Sequence, residues 1–73
     1  VSFLCFQNGN TPLHYAAKHG NVNICKTLLD YGAEKDIRNN NGDTPLHNAA
    51  RHGNFDNCKT LLDAGAQKDV QNM

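Results

Sequence analysis

The sequence predicts an all-α protein, a short α-solenoid in which two helix-turn-helix units stack side by side. The first observation is an internal repeat, since residues 8–40 align with 41–73 and 22 of the 33 aligned pairs are identical. The second is that both copies carry helix-starting and helix-ending residues at the same places. The third is that the helices are too short to be stable alone, so stacking must hold them.

Each copy opens with an Asn-Gly turn followed by a helix start. In the first copy, Asn8-Gly9 predicts a tight turn with positive φ. Thr11 then suits the N-cap of a helix, Pro12 its first position and His14 its third, from where a side chain reaches back to the cap. The same residues recur 33 positions later.

A second helix follows in each copy after a short connection. Gly20 predicts the end of the first helix and Asn21 the cap of the second, which must run antiparallel to the first. Spacing predicts an inner face made of Val22, Cys25, Leu28 and Leu29, with Ile24 at its border. Gly32 ends this helix, and the polar segment 33–40 leads to the next Asn-Gly turn.

The segment 1–7 does not match the segment that precedes the second copy, so the chain divides into 1–7, 8–40 and 41–73. Two interpretations of 1–7 stay open. It is either a hydrophobic lid or partial repeat on the open end of the first copy, or a sequence boundary without a role. The chain lacks an initiating Met and stops just before another Asn-Gly would fall, so we expect a piece of a longer array.

Composition argues against several classes of partner. Seven basic and seven acidic residues are scattered along the chain, so nothing predicts a nucleic-acid or membrane surface. No apolar run reaches the roughly 18 residues of a spanning helix. Cys25 and Cys58 occupy the same place in successive repeats. If the repeats stack with helix axes about 8–10 Å apart, the Cα atoms of the two cysteines exceed the roughly 7 Å limit for a disulfide. Unpaired cysteines favour the cytosol or the nucleus.

A longer series recurs in register in both copies. In the first copy it reads Gly9, Thr11, Pro12, Leu13, His14, Ala16, Ala17, Gly20, Asn21, Leu28, Leu29, Gly32 and Ala33. This series resembles the ankyrin repeat family over 66 of the 73 residues. The resemblance implies helix-turn-helix units with projecting β-hairpin-like loops. Asn57 departs from the family pattern, where a β-branched apolar residue is usual, so we expect looser packing there or an exposed Asn57.

The histidines and cysteines raise the question of a metal or catalytic site. His14, His19 and Cys25 recur as His47, His52 and Cys58, but His14 and His19 point to different sides of one helix. We therefore predict no metal, no cofactor and no enzymatic activity. His14 and His47 are expected to hydrogen-bond within their own helix starts and toward the neighbouring loop, and Cys25 and Cys58 to be small core residues.

The resemblance implies that loop tips and first helices contact a protein partner. The residues that map there are Gln7, Asn8, Asn10, Tyr15, Lys18, His19, Asn40, Asn41, Asp43, Asn48, Arg51 and His52. Tyr15 is the strongest anchor, because aromatic residues concentrate interface energy. We expect a monomeric, non-catalytic protein-interaction module. The alternative is a structural spacer or scaffold segment within a larger protein.

Overall fold

The computed structural model describes residues 7–66, which contain a 3-10 turn and four α-helices. The turn is Gln7–Gly9, and the helices are α1 (Pro12–His19), α2 (Val22–Asp30), α3 (Pro45–Arg51) and α4 (Phe55–Asp63). Within this part of the chain there is no strand, and none of the helices has the length and apolar character needed to cross a bilayer. The two interpretations of 1–7 concern residues that lie almost entirely outside it.

Both first helices begin as the sequence predicts. The Thr11 hydroxyl accepts a hydrogen bond from the His14 backbone N–H at 3.4 Å, and His14 Nδ1 accepts one from the Thr11 backbone N–H at 3.0 Å. Thr44 and His47 form the same reciprocal pair. Because two backbone N–H groups are satisfied at each start, helices of only 7 or 8 residues have defined first turns.

The turn between α1 and α2 is also confirmed. Gly20 ends α1 in the left-handed conformation, at φ 73°, and its N–H points to the carbonyl groups of the preceding turn. Asn21 then caps α2 by accepting the Ile24 N–H at 3.1 Å. A side chain at position 20 would be strained by the positive φ and would also meet Asn54 Oδ1 at 3.1 Å. Glycine therefore permits both the turn and the approach of the second repeat.

The core lies where the four helices meet. Helix α1 packs against both α2 and α3, while α4 packs against α3 and α2. The fully buried apolar residues are mostly small: Leu13, Ala16, Ala17, Cys25, Ala49, Leu61 and Ala66. Small side chains let the helix backbones approach closely, so the two hairpins share one core. The predicted stacking of two helical hairpins is confirmed.

The inner face of α2 is less deeply buried than the sequence predicts. Cys25 is fully buried, whereas Leu28 and Leu29 are half-buried and pack against the edge of the core. Ile24, expected at the border, is 51% exposed. In the second repeat Leu61, the counterpart of Leu28, is completely buried. The same residue type is therefore protected to different extents in the two repeats.

The loop that joins the repeats is hairpin-like without forming strands. The Asn39 N–H donates to the Asp43 carbonyl at 2.9 Å, which closes the tip, and Gly42 N–H donates back to the Asn39 carbonyl. The Asn40 N–H donates to the Asn8 carbonyl at 2.8 Å, so this loop is tied to the turn before α1. Gly9 allows this contact, since a Cβ there would lie 2.6 Å from Asn40 Oδ1.

Asn57 corrects the expectation of an exposed side chain. It is only 1% exposed, and its Nδ2 donates to the Ala16 carbonyl in the first repeat at 3.3 Å. Its Oδ1 is buried and has no hydrogen-bond partner. The Asn57 amide therefore packs against the first repeat, although its Oδ1 remains without a hydrogen bond.

His14 carries a buried hydrogen bond between the repeats. Its Nδ1 receives the Thr11 N–H, so Nε2 must hold the proton, which it donates to the Asp43 carbonyl at 2.8 Å. The ring is completely buried, and desolvation lowers the pKa of His14 below its ordinary value of 6.5, although the Asp43 carbonyl and charge oppose this shift. The expected role of His14 is confirmed.

We predict that Leu61→Ala lowers the free energy of unfolding by about 2–5 kcal/mol, because it removes a fully buried side chain from the shared core. Leu28→Ala is the matched control. It makes the same chemical change at the half-buried equivalent position and should cost clearly less. Urea unfolding followed by circular dichroism measures both. Equal losses would show that the burial of the two leucines does not differ in solution.

We also predict that stability falls with acidification below pH 6.5, the ordinary pKa of histidine. Because the pKa of His14 is lowered in the folded chain, the unfolded chain binds a proton that the folded chain does not bind. The contribution of His14 to stability is therefore fully present above this pH and is lost as the pH falls below it. One such proton gives a slope of at most about 1.4 kcal/mol per pH unit. Urea unfolding at several pH values measures the slope.

An NMR titration of the His14 ring provides an independent readout. Its midpoint should lie below 6.5, the ordinary value. A midpoint above that value would mean that the folded state prefers the charged ring and would contradict the predicted direction.

Candidate partner-binding surface

The residues expected to contact a partner fall into distinct groups in the structure. The exposed ones are Asn8, Lys18, His19, Asn40, Asn41, Arg51 and His52. The half-buried ones are Asn10 and Tyr15, and the buried ones are Asp43 and Asn48. The Gln7 side chain lies outside the described side chains. The structure thus leaves seven of the predicted residues open to solvent.

One exposed group lies at the loop tip. Asn40 and Asn8 are joined through their backbones, which brings the two loops together at the start of the first helices. Asn39 organises this region, because its Oδ1 accepts the N–H groups of Asn41 and Asp43 at 2.9 and 3.0 Å. Its Nδ2 also donates to Asn10 Oδ1 at 2.8 Å, so the loop tip is held in one conformation.

The other exposed group lies at the last turns of α1 and α3. Lys18 and His19 end α1, while Arg51 ends α3 and His52 follows as its C-cap. These two helices pack against each other, so the four side chains occupy equivalent places on neighbouring helices. Tyr15 lies one turn before His19, and their rings stack with centroids 6.5 Å apart and planes 7° from parallel.

Asp43 and Arg51 form a bidentate ion pair within the second repeat. Arg51 donates to the two carboxylate oxygens of Asp43 at 2.8 and 3.0 Å. The Asp43 side chain is 2% exposed and that of Arg51 is 51% exposed. The hydrogen bonds and charge of Asp43 raise the pKa of the Arg51 guanidinium above its ordinary value. Two parallel hydrogen bonds of this kind fix the orientation of the guanidinium relative to the carboxylate.

The expectation that Asp43 and Asn48 face a partner is not met in this structure. Asp43 is buried by its ion pair and by the contact of its carbonyl with His14. Asn48 is 7% exposed, whereas its counterpart Tyr15 is half-buried. Both residues therefore belong to the packing around the second repeat and do not offer a free surface.

Two asparagines have structural roles that the sequence analysis does not predict. Asn39 holds the loop tip, and Asn54 donates from Nδ2 to the carbonyl groups of Ala17 and Lys18 at 2.7 and 3.0 Å. The available signal was recurrence, because Asn39 and Asn54 each have an identical counterpart in the other repeat. A polar residue kept in both copies is expected to serve the repeat itself.

The thiols and imidazoles do not assemble into a metal site in the part of the chain that the structure covers. Between residues 7 and 66, no three His, Cys, Asp or Glu side chains converge as metal ligands. Cys25 and Cys58 are free thiols. Burial raises the pKa of both thiols, most directly at the fully buried Cys25, which disfavours the reactive thiolate.

The stacked hairpins, shared core and reciprocal caps define a helical-repeat protein. A family model described as ankyrin repeats (3 copies) matches residues 2–72. The chain belongs to the ankyrin-repeat family. Proteins of this family are generally non-catalytic modules for protein-protein interaction.

A curated relative is the Regulatory protein SWI6 of Kluyveromyces lactis. It is 58% identical to this chain over 33 residues, which is 45% of this chain and 4% of that protein. The matched length equals one repeat. The similarity therefore covers less than half of this chain and a small part of that protein.

We predict that Arg51→Ala lowers the free energy of unfolding by about 1–3 kcal/mol, because it leaves the buried Asp43 carboxylate without its charged partner. Lys18→Ala is the matched control, since Lys18 occupies the same helix position in the first repeat, is exposed, and has Asn10 in the place of Asp43. It should change stability by less than about 0.5 kcal/mol. Thermal and urea unfolding compare the variants.

The double variant Arg51→Ala/Asp43→Asn should recover part of the loss, because it removes the uncompensated charge. A double variant less stable than Arg51→Ala alone would show that the Asp43 carboxylate stabilises the loop without Arg51.

Proposed function

We propose that the chain binds a partner protein through the loop tip and the last turns of α1 and α3. The observation that carries this proposal is the repeated pair of exposed polar side chains, Lys18 with His19 and Arg51 with His52, on two helices that pack together. A rigid backbone that presents such side chains loses little conformational entropy when it binds.

The chemistry of the surface favours a partner that offers acceptors. Lys18 and Arg51 are positively charged, and His19 and His52 carry ring N–H donors. The carboxylate nearest to Arg51 is that of Asp43, which is buried and already paired. We therefore propose a partner segment with carboxylate side chains or exposed carbonyl groups, with the Tyr15–His19 stack as an apolar contact at its edge.

The size of the surface limits the affinity. A standard interface takes about 800 Å² from each partner, which is a large share of the 4761 Å² total surface of this chain. Binding by these residues alone is expected to be weak, and further contacts would come from additional repeats. A reducing compartment, the cytosol or nucleus, is consistent with the free thiols of Cys25 and Cys58.

The proposal is tested by selection from a displayed peptide library with the chain as bait. Peptides rich in Asp and Glu should be enriched on the wild-type chain. They should be lost on the variant Lys18→Glu/His19→Ala/His52→Ala, which alters exposed residues and leaves the Asp43–Arg51 pair intact. The matched control is Lys26→Glu, an equal charge change at an exposed position of α2.

Equal enrichment on the wild type and the triple variant would place the contact elsewhere. A failure to enrich any peptide above background would favour the alternative function, a structural spacer within a larger protein. Circular dichroism of each bait confirms that the fold is retained.

A further inference from the structure

Asparagine is followed by glycine at two places in the chain, Asn8-Gly9 and Asn41-Gly42. Both asparagines are exposed. An asparagine in this context is prone to deamidation, a reaction in which the backbone nitrogen of the next residue attacks the side-chain amide carbon. Glycine favours this attack, because it has no Cβ in the way and its backbone reaches many conformations. The surroundings of Asn41 lie wholly within the described residues and show how its reaction is controlled.

The side chain of Asn41 is available for this reaction. It is exposed, and it makes no hydrogen bond within the part of the chain that the structure describes. The amide that would leave as ammonia is therefore not held by any neighbour there.

The attacking nitrogen, that of Gly42, is restrained. Its N–H donates to the Asn39 carbonyl at 2.9 Å. Attack requires this nitrogen to lose its proton and requires its peptide plane to turn toward the Asn41 side chain. The hydrogen bond to Asn39 opposes both steps, so the closed loop protects Asn41.

Asn39 is the residue that keeps this loop closed. The N–H groups of Asn41, Gly42 and Asp43 all donate to oxygen atoms of Asn39, the first and third to its side-chain Oδ1 at 2.9 and 3.0 Å. Release of these bonds is a local opening of the loop that leaves the helices in place. Reaction at Asn41 should therefore follow the opening of the loop around Asn39.

We propose that Asn41 is a deamidation site that Asn39 guards. In the first step a bond forms between the Gly42 nitrogen and Asn41 Cγ, the Cγ–Nδ2 bond breaks, and ammonia leaves with the proton that the Gly42 nitrogen loses. Water then opens the cyclic imide. Opening at Cγ gives aspartate, and opening at the backbone carbonyl carbon gives isoaspartate. One water is consumed and one ammonia is released, without an oxidant or a reductant.

The isoaspartate product alters the backbone of the loop. The chain then runs through the side chain of residue 41, which adds one carbon between it and Gly42, so the three N–H groups no longer match the oxygen atoms of Asn39. Asp43 follows directly, and its carbonyl accepts the bond from His14 at 2.8 Å. Isoaspartate at position 41 is therefore expected to weaken the contact between the repeats.

Both products add a negative charge to a chain whose formal net charge is zero. This charge lies at the loop tip and would repel an acidic partner. That consequence rests on the proposed function, whereas the reaction and its effect on stability do not, so their measurement is independent of any partner.

Mass spectrometry of chain aged in mildly alkaline buffer tests the reaction. Trypsin cleaves after Arg38 and Arg51, so the peptide 39–51 separates Asn41 from Asn8, and fragmentation assigns the position within it. Product should form at Asn41 slowly in the folded chain and faster in urea, which opens the loop without a substitution. No product in urea would show that Asn41 is not a deamidation site. Equal rates in both conditions would show that the fold does not protect it.

Two neighbouring variants test the role of Asn39. Asn39→Ala removes both hydrogen bonds to Oδ1 and should raise the rate at Asn41 about tenfold. Asn40→Ala is the matched control, since Asn40 is exposed and ties the loop to Asn8 through its backbone N–H, and it should react at the wild-type rate. Circular dichroism shows whether each variant is folded. Equal rates in two folded variants would overturn the guarding role, and the comparison in urea does not depend on either variant.

The effect on stability is measured by urea unfolding of fresh and aged chain. Chain enriched in isoaspartate at position 41 should unfold at lower urea than fresh chain. Asn41→Gln, aged in the same way, should keep its midpoint, because the longer glutamine side chain does not form the five-membered ring readily. An unchanged midpoint of the isoaspartate form would contradict the expected effect on the contact between the repeats.

Discussion

The hydrogen bond from His14 to the Asp43 carbonyl is the contact on which the arrangement of the two repeats depends. It crosses from the first helix of one repeat to the loop that starts the next, at 2.8 Å, from a fully buried ring. The ring can donate there only because its other nitrogen accepts the Thr11 N–H. The start of α1 and the position of the next loop are therefore set by one side chain.

Asp43 connects this hydrogen bond to α3. With its carbonyl held by His14 and its N–H held by Asn39, the residue has little freedom. Its carboxylate then meets Arg51 at the far end of α3, which orients the guanidinium along that helix. Helices of this length would be marginal alone. Here polar contacts position them and the small apolar core between them supplies the burial.

The sequence predicts the helix starts well because their causes are local. Thr11 and His14 are three residues apart, so their reciprocal bonds form within one turn wherever that turn lies. Gly20 ends α1 for an equally local reason, its positive φ. The internal repeat adds the stacking, because neither hairpin could bury its apolar face without the other.

The sequence predicts the environments of individual side chains poorly, because these depend on position within the array. Asn21 and Asn54 are identical in type and register, yet one caps its helix and the other binds the preceding repeat. Asn57 was expected to be loosely packed or exposed, and the neighbouring repeat buries it. Asp43 was expected to face a partner, but Arg51 and His14 together hold it inside. Each difference comes from a residue at least eight positions away.

The proposed partner surface and the exposed side of α2 use different parts of the same repeat. Lys18, His19, Arg51 and His52 lie at the last turns of α1 and α3, while Ile24 and Leu28 lie on α2. A further repeat packed against α2 would therefore leave the partner surface open. Because two repeats alone offer little area for a standard interface, additional repeats would lengthen the surface and allow several weak contacts to act together.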